Sequence, residues 1–323
     1  IEGASHIIKG GSIMHVEGVA HNLGGDEYQN FIGNNVHIEG STHRLIGCSN
    51  SHIEGTSNKV SHRDVTYLHL EGEAHEISNP ITHSHIEGVR NHTAGTSNDC
   101  CHMEGTENTV DHAQQSHIEG SKNRVTTEDT TLSYISNAHV EGGGNTAKAN
   151  CSHVEGGGNL TTGVNSHAEG GGNTASGNNS HAEGAGNSSI GHNSHTEGGG
   201  NAANAENSHA EGDHTIANNF AEHACGRYNE SHTNDPVFGT TIFSVGVGYT
   251  DEGRRKNAVE VGLDGSMFIL EEHFDEEGTR STTPVKLQDK LRGVEDALGG
   301  LKFVVAETEP EEKLPNTVYL ILD

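Results

Sequence analysis

Tryptophan is absent from this 323-residue chain, proline occurs five times, Lys and Arg together only 18 times, and just 30% of residues are apolar. So lean an apolar fraction beside 44 glycines does not describe a conventional globular core. The scarce cations face 46 Asp and Glu, giving 18 − 46 = −28 with His neutral. A charge of that sign argues against binding nucleic acid or an anionic membrane surface. No run approaches the roughly 20 apolar residues of a membrane span, and no membrane insertion is expected. Ile1-Glu2-Gly3 lacks the basic and apolar regions of a signal peptide. The five cysteines, Cys48, Cys100, Cys101, Cys151 and Cys225, are odd in number and show no CxxC spacing, so they read as small buried or half-buried thiols rather than a disulfide framework or zinc site. HExxH, P-loop, GxSxG and dinucleotide fingerprints are all missing, and no enzymatic activity is expected.

What the chain has is 26 histidines, more than its Lys and Arg combined. Most belong to an internal repeat, His-x-Glu-Gly, found thirteen times. Its paired residues are His15 and Glu17, His37 and Glu39, His52 and Glu54, His69 and Glu71, His85 and Glu87, His102 and Glu104, and His117 and Glu119. They continue as His139 and Glu141, His153 and Glu155, His167 and Glu169, His181 and Glu183, His195 and Glu197, and His209 and Glu211. From His139 onward the spacing is constant, whereas the earlier intervals are longer and uneven, the widest running from His15 to His37 and from His117 to His139. Insertions are therefore tolerated upstream. Ile1-Glu2-Gly3 reads as a further copy without its His, so a preceding segment is expected.

A second pattern lies inside each unit, in the residues one and eight places after the His. Early pairs are aliphatic, such as Val16 with Leu23, Ile38 with Leu45 and Ile53 with Val60; late ones are Ala168 with Ala175 and Ala210 with Ala217. Two apolar positions seven places apart, with Gly and Asn between, describe two short strands joined by tight turns. Alternation along a strand turns the apolar pair inward and leaves His and Glu together on the opposite face. Stacked in parallel about 4.8 Å apart, such rungs make a β-solenoid. A buried alanine methyl contributes only about 0.8 kcal/mol, so the alanine rungs are expected to need a neighbouring chain. The constancy of the His and Glu columns places them at that contact. Imidazoles bonded to carboxylates would have folded pKa values raised above about 6.5.

The segment SHAEGGGNTASGNNSHAEG, residues 166–184, resembles the SHAEG-type repeats of bacteriophage and prophage tail-fibre proteins, which in turn resemble the head of trimeric autotransporter adhesins. The resemblance spans about residues 1–225 and is strongest over 138–212. It implies a left-handed parallel β-roll, three copies packed round a threefold axis, and a fibre in the virion tail that joins other tail or baseplate proteins and meets a host cell-surface glycan or cell-wall polymer. In adhesin heads Val and Ile face the axis where this chain has His167 and Glu169. A bacterial surface adhesin and a glycan-cleaving tail spike are the alternatives. No cofactor is expected. Three His and three Glu on an axis would offer ligands for a divalent metal, but a hydrogen-bonded ladder accounts for thirteen copies better, and any ions are expected at atypical rungs.

Downstream, residues 241–270 resemble a short β module that often ends phage fibres. Strands are expected over 242–247, 258–263 and 266–270, with a hairpin turn at Asp264-Gly265. The small β module is bounded at 226–270, an acidic linker at 271–284, a coiled coil at 285–302 and a C-terminal β segment at 303–323, with a last strand at 317–322. Thr283-Pro284 reads as the cap and first position of a helix whose seam is Leu287, Leu291, Val294, Leu298 and Leu301. Arg254, Arg255 and Lys256, the sole basic cluster, read as a solvated loop.

Overall fold

A computed structural model of the chain describes residues 2–3, 13–19, 35–41, 44–45, 49–62, 65–95, 98–127, 134–250, 254–274, 280–297, 302–306 and 317–321. Every described His-x-Glu-Gly segment starts a strand, short at His15–Val16 and His37–Ile38 and longer from His52–Thr56 to His209–Asp213. The strands pair in parallel and in phase, so that His139 lies beside His153, Val140 beside Val154, Glu141 beside Glu155 and Gly142 beside Gly156. A second parallel sheet runs from Arg44–Leu45 to Ile216–Ala217. The fold is therefore the expected all-β solenoid, each turn stacking like residues on like.

The interior is the expected apolar pair. Ile53, Leu70, Ile86, Met103, Ile118, Val140 and Val154, then Ala168, Ala182, Ala210 and Ala224, are fully buried along the first sheet. Val60, Ile77, Val110 and Val125, then Ala147, Ala175, Ala203 and Ala217, oppose them from the second. Leu23 and the side chain of Leu45 lie outside the described residues. Where the turns exceed the regular length, the surplus builds a third parallel sheet, Val65–Thr66, Ile81–Thr82, Asn98–Asp99, Ala113–Gln114 and Ile135–Ser136. From His139 onward that side closes as a tight bend. Its corner residues Asn165, Asn179, Asn193 and Asn207 have φ of 55 to 58°, the left-handed region that Asn tolerates.

The repeat's glycine is fixed by contact between turns. At Gly184, φ is 105° and an added Cβ would lie 2.2 Å from the Gly198 carbonyl oxygen. The same clash recurs at Gly105 against Gly120, at 2.0 Å. Only glycine lets strands of this shape stack at this point.

The roll passes directly into the C-terminal strands. β1, Thr241–Val247, pairs in parallel with the roll strand His223–Arg227, and β2, Asn257–Gly262, β3, Met267–Phe274, and β4, Arg280–Lys286, follow antiparallel. The hairpin at Asp264-Gly265 is present: Gly265 has φ 80°, and the Asp264 carboxylate accepts from the Ser266 amide at 2.9 Å. The acidic stretch differs from expectation, because its described parts, Glu271–Phe274 and Arg280–Pro284, belong to β3 and β4 and form no linker. Thr282, Thr283 and Val285 are β-branched, and Pro284 sits on the sheet's edge strand, where a missing donor is tolerated. Helix α1 consequently begins later, at Leu287–Ala297. On it Leu291 and Val294 are 56% and 51% exposed, while Leu298 and Leu301 lie outside the described residues. Strands β5, Lys302–Ala306, and β6, Thr317–Ile321, pair in parallel.

The basic cluster also departs from a solvated loop. The Arg255 guanidinium donates to the carbonyls of His214 and Asn229 at 2.7 and 3.1 Å, and Lys256 donates to Thr282 Oγ1 at 2.7 Å. Arg255 thus ties the last turns of the roll to the module and Lys256 braces the module itself; Arg254 alone stays at the surface, over the Tyr249 ring. Among the cysteines Cys101 is buried and Cys225 half-buried, but Cys100 and Cys151 are exposed because they occupy left-handed corners, φ 54° and 55°, that point outward.

Candidate functional site: the histidine and glutamate stripes

Alternation along the first sheet sets His and Glu of each turn on its outer face, opposite the buried residue between them. Stacking in register then draws the histidines into one file. Consecutive ring centroids are 4.5 to 5.0 Å apart from His15 to His223. Rings between His153 and His209 are nearly parallel, at 1 to 11°. Beyond the roll the file ends on Phe243, 5.6 Å from His223.

The carboxylates are close but mostly not bonded. His15, His37 and His52 meet Glu17, Glu39 and Glu54 at 2.9 Å. Further along, His69–Glu71, His102–Glu104, His117–Glu119, His139–Glu141, His153–Glu155, His167–Glu169 and His209–Glu211 stand 3.6 to 3.8 Å apart, too far for a hydrogen bond. His85–Glu87 is marginal at 3.5 Å. The Nε2 atoms of His69, His102, His167, His181, His195 and His209 are shut off from solvent and have no hydrogen-bond partner within the chain.

For three histidines of the stripe the expected rise in pKa is corrected. Burial, and then neighbouring imidazoles of the file, push His167, His181 and His209 below the ordinary value, outweighing the glutamates: His181 and His153 act on His167, His195 on His181, and His223 and His195 on His209. Stacked rings at this spacing cannot all carry charge without repelling one another.

Beneath the stripe runs a buried asparagine ladder. Asn173 donates from Nδ2 to the Glu169 carbonyl at 2.5 Å and to the Gly184 carbonyl, one turn on, at 2.8 Å; its Oδ1 accepts from the Asn187 amide at 2.8 Å. The pattern holds at Asn58, Asn91, Asn108, Asn123, Asn145, Asn159, Asn187 and Asn201, all at most 1% exposed. Because each amide grips a Glu main chain, the ladder holds the strand that presents the stripe. His75 replaces Asn in one turn: its Nδ1 accepts from the Asn91 amide at 3.1 Å, leaving Nε2 to donate to the Glu71 carbonyl at 2.9 Å. Burial lowers its pKa, as that neutral tautomer requires.

At the junction with the module the electrostatics reverse. His232 Nδ1 lies 2.8 Å from Glu260, which is 3% exposed and also accepts from Thr241 at 2.6 Å. The hydrogen bond to Glu260 raises the His232 pKa; for Glu260 burial acts upward, but bonds from His232, Thr241 and Asn257 leave it lowered. Glu222, buried in the column where most turns carry Ser, is pushed up by burial.

Three groups among the described residues bring metal-ligating atoms within 4.8 Å of one another: His15, His37 and Glu39; His83, Asp99 and Cys100; and Glu211, His223 and Cys225. His223 extends the stripe by one turn, which reads His-Ala-Cys-Gly and so lies outside the His-x-Glu-Gly pattern. The Asn ladder was visible in sequence only as an Asn six places after most His, a position indistinguishable from a turn asparagine by composition. No protein-family model matches the chain, and no curated protein matches it.

Proposed function

We propose that this chain is the shaft of a homotrimeric phage or prophage tail fibre, a structural protein of the virion tail that carries a host-binding role. The observation that supports it best is the unbroken stripe of half-exposed His and Glu side chains that in-phase stacking lays along one face of the roll. A second copy in the same register would cover the whole stripe at once and give the thin alanine turns a second buried face. The threefold arrangement, the left-handed sense of the roll and the tail location rest on the resemblance of residues 166–184. The exposed Leu291 and Val294 supply a second surface, at which α1 of three copies would form a short coiled coil once the shaft has gathered them. Ligands of such a fibre are host cell-surface glycans or cell-wall polymer, and its structural partners are other tail or baseplate proteins.

The test is the mass of the full chain by sedimentation equilibrium at micromolar concentration. Three times 34.1 kDa is expected. A folded species of one chain mass overturns the proposal. For the trimer, sedimentation with purified host cell envelopes checks the binding role; recovery entirely in the supernatant removes it.

A further inference from the structure

We propose that Glu211, His223 and Cys225 form a zinc-class metal site at the last turn of the roll. Theirs is the one described turn in which the Glu column carries a thiol instead. Glu211 sits between two imidazoles, with Oε1 3.8 Å from His223 Nε2 and Oε2 3.8 Å from His209 Nε2. Neither distance is a hydrogen bond, and His209 Nε2 is closed to solvent without a partner. Donors sharing one tetrahedral zinc lie about 3.3–3.5 Å apart, given bonds of about 2.0–2.3 Å. The observed spacing, all within 4.8 Å, closes to that by rotation of the three half-buried side chains. Cys225 Sγ is held only by a weak contact to the Ser244 carbonyl at 3.5 Å, which such a rotation gives up at little cost.

The donor set selects the ion. One sulfur, one imidazole nitrogen and one carboxylate oxygen suit zinc and its borderline neighbours, whereas calcium and magnesium take oxygen alone. Three protein ligands leave a fourth position for His209 or water. A hollow of about 240 Å3 lined by Glu197, Gly198, Glu211, Gly212 and Gly226 opens beside the site and gives an ion its path in. The thiol is held protonated by burial and by the charge of Glu211, so binding displaces its proton to solvent as the sulfur–metal bond forms. The other two clusters are poorer. His83 is 59% exposed and Cys100 faces water, while His37 and Glu39 already bond each other at 2.9 Å.

All ligands come from one chain, so the site does not depend on three copies assembling. Titration of the full chain with cobalt(II) chloride tests it. One ion per chain and a near-ultraviolet thiolate-to-cobalt band are expected. Cys225→Glu restores the residue found elsewhere in the column, keeps the roll folded, and abolishes the band; His223→Ala weakens binding about tenfold or more. Zinc chloride should displace the cobalt and bleach the band. A chain that shows no band, or a band that persists in Cys225→Glu through Cys100 or Cys151, overturns the proposal. A band on a chain that sediments as a monomer would sink the trimer and leave this site standing.

Discussion

The roll has two halves built on different interiors. Between His52 and Ser136 the turns are long and uneven, add a third strand and fill with Ile, Leu, Val and Met. From His139 to Gly226 every turn has the same shorter length, keeps two strands, and encloses mainly Ala, Ser and Thr. Yet the glycine contact, the asparagine ladder and the histidine file cross from one half to the other with little change. Aliphatic packing acts mainly within a turn, so its volume is adjustable. Glycine stacking and the ladder act between turns, along the axis, so every turn must comply.

Substitutions at the glycine column give the largest expected effect and the one that should not distinguish the halves. Gly105→Ala and Gly184→Ala each drive a methyl into a neighbouring carbonyl at positive φ, and each should destabilise by about 4 kcal/mol or more. Denaturant melts of the two variants would check this. If either is tolerated, stacking is not the shared constraint.

Next come the interiors, where the halves should diverge. Ile118→Ala is expected to cost about 2–5 kcal/mol, whereas Ala182→Ile, which overfills a turn sized for a methyl, should cost about 1–3 kcal/mol. Stabilisation by Ala182→Ile would show that the thin half is simply underpacked. The ladder follows: Asn173→Ala strands the Asn187 amide and two carbonyl contacts, at about 1–3 kcal/mol. Asn108→Ala should cost less, because the aliphatic interior around it holds the turn independently. Hydrogen exchange at the next amide, Asn187 or Asn123, reads the two cases directly.

The difference between the halves also explains what was legible in the sequence. Inward pairs such as Ile53 with Val60 and Ala168 with Ala175 could be read because strand alternation leaves them no other direction. Asp264-Gly265 announces its turn by the one geometry its residues favour. Asn173 was not legible as a buried clamp, since Asn also serves the corners at Asn165 and Asn179, and only three-dimensional stacking separates the two uses. Thr283-Pro284 misled because a proline suits a helix start and an edge strand equally, and pairing with β3 decided between them. The sign of the histidine shifts depended on ring-to-ring distance and enclosure, neither of which is a property of residue order.

Smallest in expected effect, but opposite in sign in the roll and at its junction with the module, is the response to pH. His167, His181 and His209 have folded pKa values below 6.5, so their protonation favours the unfolded chain. Their contribution is intact above 6.5 and is lost as pH falls from there through the lowered values. His232, facing Glu260, Glu230 and Asp235, has a raised value. Its contribution is complete below 6.5 and fades as pH rises through that raised value. Acidification from about pH 8 to about pH 5 should therefore loosen the alanine half of the roll while tightening its junction with the module. Limited proteolysis followed by mass mapping separates the regions, and His232→Gln should remove the junction's trend while leaving the roll's. Should the alanine turns become more protected on acidification, the stacked imidazoles are being charged against carboxylates after all, and the account of the stripe as a neutral file fails.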